Sequence, residues 1–327
     1  MNSPFPTHKP SKFKFQIITT GNNETFTLPL TDVAPGHNFI VYWGDNTFNE
    51  ILAYNAVDKT HNYSVAGTYN ITIIGLCAGF QFNNSGDRLK IKNVISWGSV
   101  GFRKLDFYGC SNLTSLPNER GMLVNLITAS RMFEECSSLT SLPAGIFDGS
   151  VGITSFYDAF LKCNKLTSIP VDLFKYNVNI TIFEGAFWDC THLITVPVDI
   201  FRHNIAVTSF NSIFYNCYRL ETIPADLFRY NTLATNFGYA FTDCNKAKYN
   251  INIFYATGDE NTRFLNQSVN FEACFVRSSF TGIQGTAPDL WNCNFGTETP
   301  TKTNCFAGAG NKISSLNNYG DIPVEWK

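Results

Sequence analysis

Between Phe107 and Asn250 the chain repeats one phrase six times: FYGCSNLTSLP, FEECSSLTSLP, FLKCNKLTSIP, FWDCTHLITVP, FYNCYRLETIP and a decayed FTDCNKAKYN. From Cys110 through Cys136, Cys163, Cys190, Cys217 and Cys244 the steps are 26, 27, 27, 27 and 27 residues. A fixed step of that length constrains the fold more than composition does. One such unit cannot bury its apolar face alone, so successive units have to stack and cover one another.

Within each unit Phe160, Phe187, Phe214 and Phe241 lie three residues before the cysteine, and Phe156, Phe183, Phe210 and Phe237 lie four before those. Apolar positions at i, i+4 and i+7 in ITSFYDAFLKCNKL predict a short helix. LTSIP then reads as a strand ended by proline, which cannot donate the next ladder bond. The 30 phenylalanines mostly follow the period and are assigned to core. The recurring cysteines have parallel side-chain directions, which disfavours bridging, and are read as buried reduced thiols. CxxC and HxxxH spacings are absent, so no metal or cofactor is expected.

The phrases AFxxCxxLTSIP and ITSFxxAF resemble the BspA-like leucine-rich-repeat family, over residues 107–250. That resemblance implies a surface or secreted protein of bacteria or protozoa, adhesion as its role, and a place beside modules related to the polycystic-kidney-disease (PKD) domain in gut-bacterial and tailed-phage proteins. The front of the chain carries a second resemblance. IVYWGDN followed by HNYSVAGTYNITIIG is similar to the paired motif of PKD-like domains, through Trp43, Gly44, Asp45, His61, Tyr63, Gly67 and Tyr69, with Asn46 where the family has glycine. It implies an immunoglobulin-like sandwich acting as a spacer or docking module. Read as residues alone, Trp43 is core, Gly44 to Asn46 form a hairpin turn, and His61 hydrogen-bonds that turn. A calcium role for Asp45 lacks the further oxygen ligands such a site needs.

The expected fold class is therefore mixed α+β with two domains: an N-terminal β-sandwich followed by a capped leucine-rich-repeat-type solenoid of about 27-residue coils. Its parts are a flexible or docking arm (1–12), the sandwich (13–78), an N-terminal cap plugged by Trp97 (79–106), the repeats (107–250), and irregular last coils with a C-terminal cap closed by Trp326 (251–327).

A formal net charge of −2 with 15% charged residues provides no basic field for nucleic acid. No run approaches the roughly 18–20 apolar residues of a membrane span. GxSxG, P-loop, GxGxxG and HExxH motifs are absent in their required contexts, and Cys190 beside His192 is explained by the repeat, so no enzyme is expected. Two surfaces remain. VDLFKYN, VDIFRHN and ADLFRYN align Lys175, Arg202 and Arg229 in one column and Tyr176, His203 and Tyr230 beside it, with Asp172, Asp199 and Asp226 placed to neutralise the cations and Asn177, Asn204 and Asn231 to bond backbone. Non-repeating positions place Trp188, Tyr215 and Tyr218 on adjacent coils, an aromatic shelf for a sugar or peptide. The expected partners are a protein or glycan on a host or cell surface, or other virion proteins. With no h-region at the N-terminus, a phage virion or tail is the expected location, and a bacterial surface the alternative.

Overall fold

The computed structural model describes residues 12–256, 258–277, 285–308 and 316–327. Apart from Lys12, the predicted N-terminal arm lies outside the described residues.

The front of the chain is strand-built. β1 (Phe13–Thr19), β3 (His37–Tyr42), β4 (Phe48–Ile51), β6 (Gly67–Cys77) and β8 (Ile91–Ser96) form a five-stranded sheet in the order β4-β3-β6-β1-β8. Antiparallel pairing of β1 with β6 runs unbroken from Phe13↔Ile73 to Thr19↔Gly67. Alternation then sends Phe13, Phe15 and Ile17 inward on the same side as Ile71 and Ile73. A separate ribbon of β2 (Glu24–Thr27) and β5 (Thr60–Tyr63) brings Phe26 to 6.0 Å from the Phe15 ring. A parallel pair, β7 (Gly79–Gln81) with β9 (Lys104–Asp106), and a single bridge from Asn93 to Ser115 lead into the repeats.

Trp97 sits at this junction and is fully buried. Its ring stacks parallel to Phe13 at 6.3 Å and meets Phe107, the first phenylalanine of the stack, edge-on at 5.9 Å. One cluster of buried residues consequently runs from Phe13 to Trp326.

The expected mixed α+β class is overturned. The described residues contain no α-helix, only five three-residue 3-10 turns. The repeats form neither the predicted helix nor the predicted strand, and with them goes the closed, capped leucine-rich-repeat-type solenoid, as well as a β-sandwich standing apart as its own domain. The cause is visible in the backbone. In the third unit Ala159 N–H bonds Phe156 O and Cys163 N–H bonds Phe160 O, each closing a four-residue turn. The third residue of each turn, Asp158 and Lys162, has positive φ (51° and 58°), which a right-handed helix forbids and a type II turn requires. The intervening N–H groups point the other way. Phe156, Asp158, Phe160 and Lys162 donate to Ile182, Glu184, Ala186 and Trp188 on the next coil. Every residue before a repeat cysteine is left-handed in the same way: Gly109, Glu135, Lys162, Asp189, Asn216 and Asp243.

LTSIP contributes one bridge per coil, Ser168↔Thr195↔Thr222↔Lys248, and a second line of bridges runs Ser155↔Ile182↔Ser209↔Asn236↔Asn270. Between these lines the rings form columns. Phe107, Phe133, Phe160, Phe187, Phe214, Phe241, Phe275 and Phe306 follow one another at 5.0 to 5.9 Å. Phe156, Phe183, Phe210, Phe237 and Phe271 make a second column at 5.6 to 5.9 Å. All ten cysteines are buried and unbridged. From Cys136 to Cys244 each repeat thiol donates to the carbonyl of the column phenylalanine 29 (Cys136) or 30 residues earlier, at 3.0 to 3.2 Å. Burial pushes these thiols up, Cys244 to about 12, so they act as packing and not as nucleophiles.

Candidate ligand-binding surface

The cationic column is largely neutralised where it stands. Lys175 and Arg202 pair at 3.5 Å with Asp172 and Asp199, and Arg229 lies 3.9 Å from Asp226. All three aspartates are left-handed, so the turn itself turns each carboxylate toward the cation three residues on. Lys175 also lies over Tyr176 at 5.7 Å, and Arg202 and Arg229 lie over Tyr230 at 5.1 and 5.7 Å. His203 is exposed beside them. Beneath the column Asn177, Asn204 and Asn231 are buried, and each donates to two carbonyls of the preceding coil at 2.9 to 3.1 Å. That inner ladder is scaffold. Exposed pairs like those above it contribute only about 0–1 kcal/mol each.

The aromatic shelf forms in part. Trp188 and Tyr215 fall on successive coils with centroids 5.0 Å apart and planes tilted by 51°. Each is the second residue of the turn that its column phenylalanine opens, Phe187 to Cys190 and Phe214 to Cys217, and follows the inward ring directly. Tyr218, 40% exposed, makes no ring contact among the described residues. Its place is taken by Tyr239, 6.5 Å from Tyr215, whose hydroxyl donates to Glu272 Oε1 at 2.8 Å. Sequence reading missed Tyr239 because it stands in the left-handed column, where Arg131, Asp158, Gly185 and Ser212 give no aromatic precedent.

Earlier coils continue the row with charge. The Arg131 guanidinium lies 5.8 Å from both the Tyr108 and the Tyr157 rings, and its Nε is 3.3 Å from Glu134 Oε2. Burial pushes the Glu134 carboxyl up to about 7; Arg131 works against that shift and Asp158 adds to it. Asp158 is also raised, again by burial first, with Glu184 adding to it. Gly185 leaves room for that carboxylate, because a Cβ there would meet Asp158 Oδ1 at 2.1 Å. Glu184 in turn accepts from Ser209 Oγ at 2.6 Å. A carboxyl poised near neutrality can both donate to and accept from a ligand hydroxyl, and the rings beside it supply an apolar face.

The front motif is a closed structural unit. Trp43 is buried, donates from Nε1 to Asn49 at 2.8 Å and stacks on His61 at 4.9 Å. His61 Nε2 lies 2.7 Å from Asp45 Oδ2, while Thr47 donates from its backbone and hydroxyl to Oδ1. Burial raises the Asp45 carboxyl, but the Thr47 and His61 hydrogen bonds outweigh it and hold it below the usual carboxylate range. Tyr63 completes the unit by donating to Trp43 O at 2.9 Å. Among the described residues no group of three or more His, Cys, Asp or Glu side chains is disposed to hold a metal, and no helix is long and apolar enough to cross a membrane.

No protein-family model matches this chain, and no curated protein matches it. Among solved structures it is similar to a leucine-rich repeat protein of T. pallidum, TpLRR, at 18% identity with a TM-score of 0.24, over 46% of this chain and 72% of that one.

Proposed function

We propose that the chain is a non-enzymatic recognition module whose ring row, Trp188, Tyr215 and Tyr239, holds a glycan against the flank of the stack. The observation that carries this reading is the 5.0 Å contact of Trp188 with Tyr215 at positions where the other coils place Glu134, Leu161 and Thr242. The scaffold's need for those positions is met without rings, so the rings are free to specify a partner. Flanking carboxyls at Glu134, Asp158 and Glu184 add hydrogen-bonding groups of the kind sugar hydroxyls need.

The BspA-like and PKD-like resemblances support display of such a module on a phage particle or a bacterial surface. A glycan array probed with the full chain tests the reading. Binding to a defined neutral glycan, lost in Trp188→Ala and Tyr215→Ala with melting preserved, is the expected result. A chain that instead hydrolyses glycosides, with turnover abolished by Glu134→Gln, is an enzyme and not a recognition module.

A further inference from the structure

Where the period fails after Asn250, the stack does something its repeating coils do not: it buries a cation without a counter-ion. Asn177, Asn204 and Asn231 each satisfy two carbonyls of the preceding coil with a neutral amide. One step further on, the Asn231 carbonyl is met by Arg263 Nη2 at 3.0 Å, and Nη1 lies 3.5 Å from Thr232 O. Arg263 is 6% exposed, its guanidinium lies over Phe264 at 4.4 Å, and its buried Nε has no hydrogen-bond partner. Among the described residues no carboxylate lies within ion-pair distance of it. Burial accordingly holds this guanidinium down to about 10. Three asparagines show that the backbone bonding here needs no charge, and an unpaired buried charge is costly.

Arg263 lines a cleft of about 400 Å³ together with Arg229, Tyr230, Thr232, Asp259 and Gln267. Arg229, the last cation of the exposed column, reaches Asp226 and Asp259 only at 3.9 Å, so its N–H groups are weakly engaged. Gln267 donates to Thr232 O at 3.3 Å, but its buried Oε1 accepts nothing. The cleft therefore offers two guanidinium groups against one lining carboxylate, an acceptor that wants a hydroxyl donor, and the Tyr230 ring as a wall. A bare inorganic anion satisfies only the first of these, and a neutral sugar only the last two.

We infer that this cleft binds a sugar acid, its carboxylate held by Arg229 and Arg263 and a ring hydroxyl donating to Gln267. The site is separate from the ring row: it lies at Arg229, the last member of the cationic column, and shares no lining residue with Trp188, Tyr215 or Tyr239.

Calorimetry on the full chain with D-galacturonate, N-acetylneuraminate, D-galactose and inorganic phosphate tests it. At least one of the two acids binds, and the two arms separate a uronic from a sialic source. D-galactose binds at least about tenfold more weakly, as loss of a charge-assisted pair implies. Arg229→Gln, at a half-buried position outside the core, weakens the acid by about tenfold or more without lowering the melting temperature. Arg263→Asn restores the ladder's own residue and abolishes binding, and Trp188→Ala leaves it unchanged. Measured in the Trp188→Ala chain, where the ring row is disabled, galactose or phosphate binding as well as both acids overturns the inference, as does neither acid binding or Arg229→Gln binding like the parent.

Discussion

In β1 the rings of Phe13 and Phe15 point inward because alternate strand residues share a face, and seven consecutive pairings with β6 hold that register. In the stack Phe156 and Phe160 point inward because each opens a turn whose third residue is left-handed, and single bridges, 27 residues apart from Ser155 through Asn236, keep the coils aligned. The sheet spends its backbone groups on continuous ladders. The stack divides them, bonding alternate N–H groups forward to the next coil and closing turns with the others. A sheet is therefore intolerant wherever two strands touch, whereas a coil is intolerant chiefly at its inward column, and its outward positions are free to vary.

Among substitutions that strain or unpair the backbone, the largest effect belongs to the sheet. Gly75 has φ of +122°, and a Cβ there would lie 2.5 Å from Asn38 O and 2.8 Å from Phe39 Cα, both rigid backbone. Gly75→Ala should cost on the order of 3 kcal/mol in urea unfolding, and a loss below about 1 kcal/mol would break the contrast. Next comes the ladder: Asn204→Ala leaves the Phe174 and Asn177 carbonyls without their donor and should cost about 2 kcal/mol. Gly185→Ala, in the stack, should cost only about 1 kcal/mol. Its φ of 61° is one that Asp158, Ser212 and Tyr239 adopt in other coils, and the atom in its way is the movable Asp158 carboxylate.

The smallest effect depends on pH. Glu134 is pushed up from 4.5 to about 7, so the folded chain holds this proton more tightly than the unfolded chain. The cost of ionising it is absent below the lower value and complete above the higher one. Glu134→Gln should therefore melt at a higher temperature relative to the parent at about pH 8 than at about pH 4. An equal difference at both pH values would show that the carboxyl is not held protonated by the fold.

Much of this organisation was legible in the letters. The period, the Phe columns, the asparagine ladder and the bond from His61 to the Asp45 turn follow from residue type and spacing. The local backbone did not. Apolar residues at i, i+4 and i+7 face one side in a helix, and they do so equally in consecutive turns that each send their first residue inward. The discriminating signal lies just before the cysteine, where Gly109, Asp189, Asn216 and Asp243 are types that favour left-handed backbone. Arg263 was hidden for another reason. It replaces an asparagine of the ladder only after the spacing has slipped, so no alignment of the units places it there.

Phe187 and Trp188 are neighbours in sequence with opposite assignments, one in the buried column and one on the ring row. Thermal melting and glycan retention measured side by side on Phe187→Ala and Trp188→Ala test the account most directly. Phe187→Ala should lose about 3–5 kcal/mol of stability yet still bind at low temperature, and Trp188→Ala should keep its melting temperature within a few degrees and lose binding. Retention undiminished in a folded Trp188→Ala chain would contradict the division between letters that build and letters that bind.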